Sequence, residues 1–70
     1  MSYWESIKWL SEYLAVMQCG STVSVLTTNG YVTIRAEQCE DYVRYRVSKA
    51  KWDYFHKSPM QAARRAYHFI

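Results

Sequence analysis

VSVLTTNGYVTIRAE, residues 23–37, decides the fold of this chain. Val23 and Val25 alternate with Ser24 and Leu26, and Thr27-Thr28 prolongs the β-prone run. Asn29-Gly30 follows, a pair that closes two-residue type I′ hairpins because both residues tolerate positive φ. The return run, residues 31–37, puts Val32, Ile34 and Ala36 on one side and Tyr31, Thr33, Arg35 and Glu37 on the other. Successive strand side chains point to opposite faces, so this is a half-buried antiparallel sheet with one apolar and one mixed face.

Reading outward, the polar cluster Gln38-Cys39-Glu40-Asp41 is a second turn. Residues 42–48 alternate again, with Val43, Tyr45 and Val47 on one side and Tyr42, Arg44 and Arg46 on the other. Lys49-Ala50-Lys51 reads as a third turn into a short fourth strand, residues 52–57. Upstream, Ser2-Tyr3-Trp4-Glu5 has the pattern of a capping box. Tyr3, Ile7, Leu10, Leu14 and Met17 then recur at helical spacing, predicting a helix over 3–18 with Gly20 just past its end. Trp9 and Val16 fall on the opposite side, beside Glu5 and Glu12. Downstream, Ser58-Pro59-Met60-Gln61 opens a second helix, serine as cap and proline at the first position where its missing N–H costs nothing. Ala62, Ala63, Ala66, Tyr67 and Ile70 are its buried side, and Arg64, Arg65 and His68 point outward. The expectation is one small α+β domain over residues 1–70, in the order α-β-β-β-(β)-α. Its antiparallel sheet has three or four strands, with both helices on one face.

The order α-β-β-β-α resembles a double-stranded-RNA-binding domain, as element order only. The resemblance implies a lysine-rich start to the last helix and a longer loop between the first two strands. Here the helix starts Ser58-Pro59-Met60-Gln61 and the first hairpin is closed by Asn29-Gly30 alone, so the parts that would touch RNA are absent.

Seventy residues suit one domain, and the start at Met1 with an end inside the apolar run 67–70 is what a complete small protein would show. Only two Gly and one Pro, with 50% hydrophobic residues, argue against disorder. No apolar run reaches the ~20 residues of a membrane helix. Glu5 and Glu12 near the start do not suit a signal peptide, so a cytoplasmic protein is expected. Cys19 and Cys39 are then expected as free thiols. With His56 and His68 they match no zinc-ligand spacing, so neither metal nor cofactor is expected. The +3 net charge conceals an asymmetry. Residues 1–41 carry Lys8 and Arg35 against five carboxylates, net −3, whereas residues 42–70 carry seven cations against Asp53, net +6.

No catalytic constellation is evident. There is no Gly-rich phosphate loop, no local Cys–His pairing, and the adjacent carboxylates Glu40 and Asp41 suit a solvated turn. Binding is better supported by seven Tyr, three Trp and two Phe. Tyr3, Tyr45, Tyr67 and one of Phe55 or Phe69 are expected inside. Trp9, Tyr13, Tyr31, Tyr42 and either Trp52 or Tyr54 are left for the surface, and Tyr, Trp and Arg are enriched at interfaces. Tyr31, Arg35, Tyr42, Arg44 and Arg46, with Trp9 on the helix, are the candidate partner-binding residues. The expected function is non-enzymatic: a protein-binding effector that docks on and modulates a larger, even nucleoprotein, machine. Its size and aromatic content resemble in style the phage and mobile-element inhibitors of host systems, including inhibitors of CRISPR complexes. The alternative is a nucleic-acid-binding module using the outer sheet face, with Arg44, Arg46, Lys49, Lys51, Arg64 and Arg65 as contacts. Homodimerisation through Trp9 and Val16, or through an edge strand, is a third expectation.

Overall fold

A computed structural model describes residues 2–69. Helix α1 (Tyr3–Val16) is followed by strands β1 (Thr22–Thr27), β2 (Gly30–Gln38), β3 (Val43–Lys49) and β4 (Trp52–His56), then helix α2 (Pro59–Tyr67). The strands form one antiparallel meander in the order β1-β2-β3-β4, so the fourth strand is present and is an edge. The period-two pattern lands as expected: Val32, Ile34, Ala36, Tyr45 and Val47 are buried on the helix side.

Both helix starts are capped as the sequence implies. Ser2 accepts from the Glu5 N–H and its own N–H donates to the Glu5 carboxylate, at 3.2 and 3.3 Å. Ser58 accepts from the Gln61 N–H at 3.3 Å, with Pro59 leading the helix. Ile7, Leu10 and Leu14 bury one stripe of α1, and Ala62, Ala63 and Ala66 give α2 a flat side that lies close over the sheet. The buried Tyr45 hydroxyl donates to the Leu14 carbonyl at 3.1 Å, tying α1 to β3. Full burial of an aliphatic side chain contributes roughly 1.5–3 kcal/mol, so Ile7, Leu10, Leu14, Val32, Ile34 and Val47 form the stabilising centre.

Several expectations are corrected. Helix α1 stops at Val16, because Met17 turns extended (φ −73°, ψ 137°) while its N–H reaches back to the Leu14 carbonyl. Gly20 (φ +90°) therefore does not cap the helix. Its N–H donates to the Ala36 carbonyl at 2.7 Å and leads the chain into the sheet. In the first hairpin Thr27 pairs with Gly30, so Thr28 and Asn29 are the loop residues and only Gly30 (φ +101°) takes positive φ. The Thr27 hydroxyl holds this turn, accepting from the Asn29 N–H and donating to the Gly30 carbonyl at 2.7 Å. Tyr3 is half exposed rather than inward, its ring set edge-on against Tyr67 and His68 of α2. The aromatic under α2 is Phe69, whereas Phe55 points to the outer face. Tyr42 lies in the turn before β3. The expected burial of Ile70 lies outside the described residues. Among the described residues, no helix is long and apolar enough to cross a membrane.

Candidate binding surfaces

The outer sheet face is assembled by register. Thr22, Arg35, Arg46 and Phe55 lie side by side across the four strands, and Glu37 pairs with Arg44. Glu37 sits between two guanidinium groups: its Oε1 is 2.9 Å from Arg44 Nε and its Oε2 3.0 Å from Arg46 Nη2. Both arginines also lie over the Phe55 ring, their Cζ atoms 4.2 and 5.3 Å from its centre. The hydrogen bond to Glu37 pushes the Arg44 pKa above its ordinary value, against a smaller opposing effect of desolvation. A carboxylate and an aromatic ring thus hold the two arginines that the sequence offers as a gripping pair.

Tyr42 borders this face with the Lys57 ammonium 4.4 Å above its ring. Its phenol is pushed to higher pKa, first by hydrogen bonding to the Cys39 side chain. Gln38 pins the intervening turn, its amide N–H groups donating to the Cys39 and Tyr42 carbonyls. Tyr31 is 67% exposed at the far end, opposite Leu26 at 65%, and Arg35 lies between the two groups with no ion pair among the described residues.

The margin formed by β4 and α2 has a different character. Arg65 Cζ lies 4.0 Å from the centre of the Tyr54 ring, and Arg65 Nε donates to His56 Nε2 at 3.4 Å. Burial, and then the Arg65 charge, lower the pKa of His56, with a smaller opposing effect from Gln61. A pocket of about 280 Å³ opens here, lined by His56, Gln61, Arg64, Arg65 and His68, with no carboxylate among the described residues that line it. At the other end of β4, Trp52 is 61% exposed with the Lys51 ammonium 5.8 Å from its ring centre.

The third surface is the outward stripe of α1. Trp9 and Tyr13 stack at 5.7 Å between ring centres, and Val16 continues the stripe almost fully exposed. Glu5, Lys8 and Glu12 flank it, so this surface is apolar with a small acidic excess. Trp9 is thereby separated from the other candidate residues, which lie across the sheet. Arg64 and Arg65 are separated as well, because α2 covers the inner face. Lys49 and Lys51 flank the β3–β4 turn, where Ala50 takes φ +53°.

Sequence reasoning missed the parts played at these surfaces by Phe55 and His56. The alternation of WDYFH could have placed Phe55 beside Arg46 once the fourth strand was paired with the third. Cys19 is a free thiol donating to Gln38 Oε1 at 3.6 Å, and Cys39 is a second free thiol beside Tyr42. Among the described residues no hydrogen bond joins either thiol to a histidine, and no group of three or more metal-ligating side chains gathers. Compared with family models, curated proteins and solved structures, the chain matches none of them.

Proposed function

We propose that this chain is a small protein-binding effector that docks on a larger macromolecular machine and modulates it, without chemistry of its own. The observation that carries this reading is the exposed apolar surface. Ten large apolar or aromatic side chains among the described residues are between 39% and 81% exposed, spread over both layers. Scattered exposed apolar residues are ordinary, but stacked or opposed pairs such as Trp9–Tyr13 and Leu26–Tyr31 are the anchors from which interface hot spots are built. Glu37 and Phe55 fix Arg44 and Arg46 in place, which lowers the entropy cost of using them against a partner. A cytoplasmic location belongs to this reading, in keeping with two free thiols. So does inhibition by surface blockade, the manner of phage and mobile-element products that act on host complexes.

The test is affinity capture from host lysate with wild-type protein, Trp9→Ala and Tyr42→Ala. A partner enriched by the wild type should be depleted in at least one variant while the melting temperature is unchanged. Recovery of the same partners at wild-type levels by both variants would show that these surfaces are not the docking sites.

A further inference from the structure

On the outer sheet face Arg44 and Arg46 share the Glu37 carboxylate. A second concentration of positive charge lies along the β4–α2 margin. Among the described residues the ion pairs are those of Glu37 with Arg44 and Arg46, so neither Arg64 nor Arg65 is neutralised by a described carboxylate. Both line the pocket of about 280 Å³ with His56, Gln61 and His68, and every one of these side chains can present an N–H donor. Arg65 is oriented by Tyr54 beneath it and by His56 beside it. Stacking on an aromatic ring leaves the edge of a guanidinium open for paired hydrogen bonds to a tetrahedral anion.

We propose that this pocket binds a phosphate group, and that the phosphate belongs to a single-stranded nucleic acid lying along β4. The inference is independent of the protein-docking reading. Beyond the pocket, cations and rings continue to alternate: Lys57 over Tyr42 at one end of the strand, Lys51 beside Trp52 at the other. The five residues of β4 span about 17 Å at ~3.3 Å each, room for a few nucleotides. A strand there meets cations for its phosphates and exposed rings, Trp52 foremost, for its bases. An acidic peptide would satisfy the arginines and leave Trp52 without a matching group. The one carboxylate on β4, Asp53, accepts from the Ser48 hydroxyl at 2.6 Å on the outer face, away from the pocket.

The experiment is fluorescence anisotropy of a labelled oligothymidylate of about twelve nucleotides, a length within the usual site sizes. Inorganic phosphate and a polyglutamate peptide serve as competitors. Wild-type protein should bind at about 50 mM salt and weaken on the order of tenfold by about 200 mM, as expected when about three phosphates are neutralised. The double variant Arg64→Gln/Arg65→Gln should weaken binding at least about tenfold and reduce the salt slope. Trp52→Ala should cost about fivefold or more through lost stacking. Lys8→Gln, on α1, should stay within about twofold, since only its non-specific charge is lost. Arg64→Gln alone, at an exposed position, gives a version in which folding is not at stake, checked by circular dichroism. Binding that is absent at low salt, or that survives Arg64→Gln and the double variant, overturns the proposal. So does polyglutamate binding where the oligonucleotide does not. Binding of inorganic phosphate alone, abolished by Arg64→Gln, would keep the phosphate pocket and overturn the nucleic-acid strand.

Discussion

The outer sheet face and the β4–α2 margin are built from the same residue types and behave differently. On the face, Arg44 and Arg46 meet Glu37 at about hydrogen-bond distance and rest on Phe55. On the margin, Arg64 and Arg65 line a pocket with two histidines and a glutamine. Arg44 and Arg46 are held by a shared carboxylate, whereas among the described residues Arg64 and Arg65 have none. Arginine and tyrosine content therefore says little about which surface will attract an anion. What decides it is whether strand register brings a carboxylate opposite, as Glu37 is brought opposite Arg44.

The comparison can be broken at its shared foundation. Ile34 is fully buried beneath the face, and Val47, paired with both Ile34 and Tyr54, links it to the margin. Ile34→Ala should cost roughly 2–5 kcal/mol in urea unfolding, with both surfaces lost in one transition. Two separate transitions would show that the regions are not one cooperative unit.

Ala50 joins β3 of the face to β4 of the margin in the left-handed region, where a side chain is disfavoured. Ala50→Gly should raise stability by about 0.5–1 kcal/mol in thermal melts, with no change at the outer face. A loss of stability would mean that the lower entropy of alanine in the unfolded chain outweighs the strain.

Glu37→Gln should release Arg44 and Arg46 from their shared carboxylate. Stability should fall by under about 1 kcal/mol, as partly exposed pairs contribute little. Oligothymidylate binding should gain a second, salt-sensitive component at Arg44 and Arg46. Unchanged titration curves would mean that Phe55 alone keeps these arginines unavailable.

The smallest expected effect separates the regions by pH. His56 faces Arg65 and Gln61 of α2, with Tyr45 opposite on β3, and burial followed by Arg65 lowers its pKa. The unfolded histidine, at about 6.5, takes up a proton first, so the folded state binds fewer protons just below that pH. Stability linked to His56 is therefore present above about pH 6.5 and is lost as pH falls toward the lowered folded value. His56→Asn should flatten this slope in denaturation curves between about pH 7 and pH 5. A slope that persists in the variant would assign the effect to another group.

Much of the architecture was legible because alternation and capping are local signals. Val32, Ile34 and Ala36 are buried as the period-two pattern implies, and Ser2 and Ser58 cap the helices they precede. The one-residue displacement of the first turn was not legible, because Asn-Gly suits both a turn centred on itself and one in which glycine alone takes positive φ. The arginine pairing was not legible either. Glu37 and the arginines become neighbours only once β2 and β3 are in register, and Phe55 joins them only when β4 is added. Of the five face residues proposed from sequence, Tyr31, Arg35, Arg44 and Arg46 share the outer face and Tyr42 borders it. Trp9 belongs to a different surface, because helical spacing turned it away from the sheet.

The central claim, that Arg64 and Arg65 on the margin are open to an anion while Glu37 and Phe55 hold Arg44 and Arg46, is tested most directly by amide and side-chain chemical-shift mapping during an oligothymidylate titration. Shifts concentrated at Trp52, His56, Arg64 and Arg65, with Arg44 and Arg46 nearly silent, are the predicted result. Shifts centred on Tyr31, Arg35, Arg44 and Arg46 would contradict it.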